Sequence, residues 1–196
     1  VLVDNDSWIL PYAISLVNEL KDLGYESGLK RDHSEVRSGT VNFILGCTRI
    51  LKPSVLKKNY YNLLVHESNL PKGRGFSPIA WQILEGRNNI AICLIEATEK
   101  ADEGRVWIRD RLILTGLELC NQWRHLQGEK TKKLCLGFVT DFSSLTPTYQ
   151  TGIPTFYSRR TPKDSELSLS KSLFEQFNLL RIVDNERYPA FFIREG

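Results

Sequence analysis

The chain has 196 residues, of which 41% are hydrophobic and 25% charged, with a formal net charge of +3. That composition fits an ordinary soluble globular protein of one sizeable domain, or one plus the start of a second. So small a charge gives no ground for a nucleic-acid binder, and no apolar run approaches the ~20 residues of a membrane span.

Val1-Leu2-Val3 is apolar and β-prone without alternation, which suits a central parallel strand buried on both faces. Asp4 to Pro11 reads as a polar turn, with Asp6 or Ser7 available to cap a helix. Asp4 and Asp6 read equally as solvated capping residues or as part of a substrate-contacting loop. Ile9, Ala13, Leu16, Val17 and Leu20 recur at helical spacing, and Gly24 ends that helix. Tyr25 to Leu29 is a candidate second strand, and Lys30 to Gly39 a charged loop in which His33 is expected to be solvated. Val41 to Leu45 reads as a third, buried strand, followed by Gly46-Cys47-Thr48, where Gly46 would let a ligand approach the backbone. A short helix starts near Pro53, and Tyr61 to Val65 forms a fourth strand that delivers His66 to its end.

A Pro/Gly-rich loop, Leu70 to Gly75, precedes an amphipathic helix over Phe76 to Leu84 and an apolar strand over Ile90 to Ile95. The next loop carries Asp102 and Gly104. This alternation predicts an α/β fold with a mostly parallel sheet flanked by helices, whose ligands bind beyond the carboxyl ends of the strands. No GxGxxG follows the first strand and no GxxxxGK[ST] occurs, which argues against a dinucleotide or Walker-type site. Arg105 to Leu114 reads as a strand, Leu117 to Leu126 and Thr131 to Phe142 as two helices, and Ser143 to Pro154 as a linker. Ser172 to Val183 has helical spacing, and Ala190 to Ile193 reads as a last strand. Residues 1–145 are expected to form the catalytic domain and 146–196 a linker and C-terminal extension. Cys47, Cys93, Cys120 and Cys135 lack any CxxC spacing, so free thiols in a reducing cytoplasm are expected. The chain contains no Met and starts at Val1, and truncation is expected at both ends.

HESNLPKGRGFSPIAWQILEG, starting at His66, resembles the core motif of the folate-dependent formyltransferases, HxSxLPxxRGxxP followed by a helix and a strand. EKADEGRVW, around Asp102, resembles that family's DxG element, 36 residues beyond the histidine. YSRRTPKDSEL, then LLRIV and RYPAFF, is most similar to the tail of sugar-nucleotide formyltransferases. The resemblance implies a Rossmann-like catalytic domain and a soluble cytoplasmic enzyme that moves a formyl group from 10-formyltetrahydrofolate to an amine, without a metal. The implied acceptor is an amino sugar carried on a nucleotide. Methionyl-tRNA formyltransferase is the alternative, and only that reading brings in a nucleic-acid partner. Many members of that family are dimers, so a homodimer is compatible, though no interface is legible. His66 would move protons or stabilise an oxyanion, and Asp102 would orient it. Ser68, Arg74, Gly75, Gly46, Cys47 and Thr48 would contact substrate or cofactor.

The residues alone leave other readings open. His66 could be structural, Asp102 could close a turn, and Arg74 could be a surface cation or a brace for its loop. Arg159 and Arg160 suit acidic partners better than phosphate, and Trp81 and Ile83 suit the core. The chain also departs from the family at Leu64, where that family usually has Asn two residues before the histidine. Asn62 shares a strand face with His66 but lies roughly 13 Å away at ~3.3 Å per residue. Thr48 or Asn69 could supply the missing donor, or His66 could act alone. A folate- or nucleotide-binding module without turnover is the competing class.

Overall fold

The computed structural model describes residues 1–194. The first helix, α1 (Leu10–Asp22), admits Pro11 in its first turn, where no amide hydrogen is needed. It buries Ala13, Leu16, Val17 and Leu20, and the chain leaves it through Gly24 at φ +89°. Neither Asp6 nor Ser7 caps it. Leu2 and Val3 are fully buried, and Leu2 bridges in parallel to both Lys30 and Ile44. The first segment therefore lies beside β1 (Gly39–Ile44), and Tyr25 to Leu29 forms no strand, since only Lys30 reaches a partner.

After the short α2 (Pro53–Leu56), β2 (Asn59–His66) pairs in parallel with β1. Next come the two-residue β3 (Arg74–Gly75), then α3 (Pro78–Leu84) and β4 (Asn89–Glu96). β4 runs antiparallel to β2, and β5 (Val106–Ile113) antiparallel to β4. The Leu2 segment, β1, β2 and β5 thus point one way, and β4 alone is reversed in a mostly parallel sheet of order β1-β2-β4-β5. β5 is an edge strand. Among the described residues only Val106 of this strand pairs outward, exchanging two backbone bonds of 2.8 Å with Thr148.

One helix, α4 (Cys120–Thr140), replaces the two expected. Gly128 does not break it. A Cβ there would sit 2.6 Å from the Tyr12 ring, so the missing side chain lets α1 and α4 approach. Both helices cover one sheet face, packing on Phe43, Leu45, Leu63, Ile92 and Leu94. Beyond α4, β6 (Phe156–Tyr157) pairs in parallel with β3. Only α5 (Phe177–Arg181) of the predicted 172–183 helix forms. Glu175 bonds Ser172, and Gln176 bonds Ser168, Lys171 and Ser172. These side-chain bonds compete with helix, and Leu173 and Phe174 stay exposed. At the end Phe191 makes a single bridge to Glu166 rather than a strand.

Gly128→Ala is expected to lower stability by about 1–3 kcal/mol through overpacking against Tyr12. Urea unfolding of the two proteins measures this, and equal midpoints would contradict the close contact.

Candidate active site

The site begins where β2 runs out. His66 is 5% exposed, and its Nε2 lies 2.8 Å from the Gly73 carbonyl oxygen. A carbonyl only accepts, so Nε2 carries the proton and Nδ1 is the nitrogen free to exchange one. Nδ1 faces Asp102 Oδ1 at 3.5 Å, beyond a direct hydrogen bond but suited to a shared group or water.

Asp102 reaches this place by a turn. β4 passes His66 at Cys93 and ends with Glu96 opposite Leu63, so the following loop must double back. Gly104 permits the turn, because a Cβ there would lie 1.8 Å from the Glu96 carbonyl oxygen. Asp102 itself has φ +56°, a left-handed conformation that short polar residues tolerate. Its Oδ2 accepts from the Gly75 N–H at 2.8 Å. Gly75 has φ +102°, and a Cβ there would meet the Tyr157 carbonyl oxygen at 2.3 Å, which ties β3 tightly to β6. Gln150 Nε2 then donates to the carbonyls of Asp102 (2.7 Å) and Gly104 (2.8 Å).

Arg74 belongs to this brace. It donates to Gln150 Oε1 at 2.8 Å and pairs with Glu103 at 3.0 Å, so it does not line the cavity as expected of a substrate contact. Ser68 is likewise buried behind the loop, against Gly73 and outside the cavity. Trp81, expected in the core, is half-buried and donates from Nε1 to the Ser158 carbonyl, while Ile83 is fully buried.

His66, Asp102, Gly75, Gly46, Cys47 and Thr48 do line one cavity of about 420 Å³, within the size range of ligand pockets. The Gly46–Thr48 wall is pinned by Asp4, whose side chain is wholly buried. Its carboxylate accepts from the Thr48 N–H, Asn5, His33 and Arg49. Burial acts to raise this carboxyl, but the four donors outweigh it and hold the value at about 2. His33 is therefore a packed partner of Asp4 and not a solvated loop residue. Asp6 stays exposed beside Arg31. Burial pushes the Cys47 thiol up to about 12, which makes it a poor nucleophile. Asp4, His33 and Cys47 approach within 4.8 Å of one another, yet the Arg49 guanidinium already shares the Asp4 carboxylate. All four cysteines are free.

Leu64 lines the cavity and offers no donor. Asn62 cannot replace one, because its amide is spent in the core on Leu56, Asn59 and Asn42. Asn69 accepts from Arg109 outside the cavity, which leaves the exposed Thr48 hydroxyl on the cavity wall. At the opposite wall stand Trp8, Glu67, Arg124, Gln127 and Arg160. Arg160 is buried, and it bonds the Ile182 carbonyl and Ser165 hydroxyl rather than an acidic group. Arg160 apart, no motif marks this wall in the sequence. Arg124, Gln127 and Thr131 do form a polar stripe at helical spacing on α4, and that signal was readable.

No protein-family model matches the chain. Solved structures do. Methionyl-tRNA formyltransferase from Clostridium thermocellum superposes with a TM-score of 0.79 at 22% identity, covering 98% of this chain and 86% of that one. A sugar N-formyltransferase from a Shewanella species gives 0.70 at 13% identity, covering 98% and 92%. HypX from Aquifex aeolicus, solved with tetrahydrofolic acid, gives 0.78 at 16% identity over 94% of this chain and 34% of its own length. The chain has the Rossmann-like fold of these formyltransferases.

Asp4→Ala is expected to cost roughly 2–3 kcal/mol at pH 7, the scale of a lost hydrogen-bonded charge. Because folding depresses this carboxyl, its contribution is present above 3.8 and fades as pH falls through about 2. Urea unfolding from pH 7 to pH 2 should therefore show the gap between variant and wild type closing toward acid.

Proposed function

We propose that the protein transfers a formyl group from 10-formyltetrahydrofolate to the amine of a nucleotide-linked amino sugar. The observation that carries this reading is the His66–Asp102 pair, 3.5 Å apart, at the wall of a cavity in a formyltransferase-like fold. The cavity suits a folate by its chemistry. Ile50, Leu51, Leu64 and Ala97 give it an apolar side, and backbone and hydroxyl groups at Thr48 and Asp102 give it a polar rim. The bound folate supplies an electrophilic formyl carbon and a leaving nitrogen.

The chain's own residues then divide the work. His66 Nε2 is fixed on the Gly73 carbonyl, so proton traffic runs through Nδ1. Asp102 sits on that side with one oxygen held by Gly75, and its other oxygen stabilises the imidazolium whenever Nδ1 is charged. Protonated Nδ1 can meet negative charge developing on the formyl oxygen and can return a proton to the leaving nitrogen. The Trp8 ring on the far wall suits a ring-bearing acceptor. The net charge of +3 favours such an acceptor over initiator tRNA.

Leu64 supports a second reading. Without a donor at that position the cavity could bind folate or a nucleotide with no turnover, since losing one oxyanion donor costs ~10²–10³ in rate.

Incubation with 10-formyltetrahydrofolate and UDP- or dTDP-linked amino sugars should release tetrahydrofolate. Retained folate binding without product would favour the second reading, and formylation of charged initiator tRNA would replace the acceptor. His66→Ala and Asp102→Ala should each slow turnover by roughly 10²–10⁴ while the fold persists. Leu64→Asn should raise the rate, and an unchanged rate would mean that another group such as Thr48 already serves the formyl oxygen.

A further inference from the structure

The cavity holds one carboxylate that the chemistry at His66 and Asp102 does not use. Glu67 follows His66, and successive residues of a strand turn to opposite faces. His66 turns to the Asp102 loop, whereas Glu67 turns to α4, where it accepts a hydrogen bond from Gln127 Nε2. Both border the same cavity, on either side of the end of β2.

Glu67 lacks a counter-ion. Among the described residues no lysine or arginine pairs with it. Arg124 is committed to Asp184 at 2.7 Å, and Arg160 to neutral oxygens. The carboxylate also dictates the orientation of Gln127. Its NH₂ must face Glu67, which leaves its Oε1 buried with no donor among the described residues, in a side chain 6% exposed. Glu67 and Gln127 thus line one cavity together, and the carboxylate carries no lysine or arginine partner among the described residues. A buried carboxylate without a cationic partner is costly, and a positively charged donor would complete it.

We propose that Glu67, oriented by Gln127, binds the ammonium group of the acceptor and takes one proton from it. This inference rests on the formyl-transfer reading above. The ammonium gives its first proton to the Glu67 carboxylate and becomes a free amine. The nitrogen lone pair forms the new C–N bond at the formyl carbon, and the bond from that carbon to the folate nitrogen breaks. The second proton passes by way of His66 to the departing folate nitrogen, and the third stays on the product amide. Glu67 returns its proton to water, so each turnover releases one proton. Burial, reinforced by Asp102 and opposed by His66 and the Gln127 bond, raises the Glu67 carboxyl above its ordinary range, toward that of an amine. The groups facing it are His66 on β2, Asp102 on its loop, Cys93 on β4, and Arg124 and Gln127 on α4.

The test is Glu67→Gln, assayed from pH 5.5 to 9.5 with 10-formyltetrahydrofolate and whichever UDP- or dTDP-linked amino sugar the wild type formylates. The variant should lose about 100-fold or more in kcat/KM for the acceptor at pH 7. The deficit should narrow as pH rises past the acceptor's own amine pKa, while tetrahydrofolate affinity is retained. A deficit equal at every pH, or none, overturns the proposal and leaves formyl transfer standing. A wild type that formylates no amine overturns both. Stability gives a readout independent of turnover. A raised carboxyl binds more protons folded than unfolded, so its effect on stability turns unfavourable as pH rises above about 4.5. The variant should therefore have a higher Tm than wild type at pH 7, with the gain vanishing toward pH 4.5. A lower Tm at all pH values would assign Glu67 to the scaffold and overturn the proposal.

Discussion

The site depends on one reversal of direction. β4 runs against its neighbours, passes His66 at Cys93 and delivers the chain to Glu96, opposite Leu63, beyond the level of His66. Only by doubling back can the next loop present a carboxylate to the imidazole. Three contacts enforce the return: the side-chain-free Gly104 against the Glu96 carbonyl, the Gly75 N–H on Asp102, and Gln150 across both ends of the turn. Arg74 supports them from behind through Gln150 and Glu103. The hydrogen bonds close a loop whose own backbone offers few partners, which is how irregular segments avoid unsatisfied polar groups.

Two carboxylates near the cavity show how environment divides labour between like groups. Asp4 is surrounded by four donors and fixed in its charged form, and it serves as a peg for the Gly46–Thr48 wall. Among the described residues Glu67 accepts from one side-chain amide and pairs with no lysine or arginine, and burial outweighs the opposing pull of His66 and the Gln127 bond. Neither difference is visible in the residue types. It arises from which backbone amides and arginines the fold brings within reach, and the same rule separates a structural acid from a reactive one in many cavities.

Much of the fold was legible in local pattern. The apolar spacing of Ala13, Leu16, Val17 and Leu20 specifies α1, and the glycine at position 24 marks its end. The apolar runs of β1, β2 and β4 announce buried strands but carry no sign of direction, because direction is set by the path of the connection. The unbroken α4 was obscured by Gly128, whose meaning lies in Tyr12, more than a hundred residues away in sequence. Helical spacing over 172–183 misled for a local reason: serine, glutamate and glutamine side chains capture the backbone there. At the site, His66 and Asp102 were legible from their motifs. Gln150 was hidden in a stretch whose Ser, Thr, Gly and Pro content resembles a linker, and of the readings open for Arg74 its distant partners Gln150 and Glu103 favour the loop brace.

The open rim of β5 has a consequence for the protein in a crowded solution. Among the described residues Thr148 covers that strand only at its start, so a row of backbone donors and acceptors is offered to any extended chain that drifts past. Arg109, Asp110 and Arg111 stand along this row, with Arg109 and Arg111 exposed. A second strand docking there would have to strip water from charges of both signs, a device that keeps natural sheets from growing by accretion. The molecule can thus leave an edge unfinished without becoming a template for fibres.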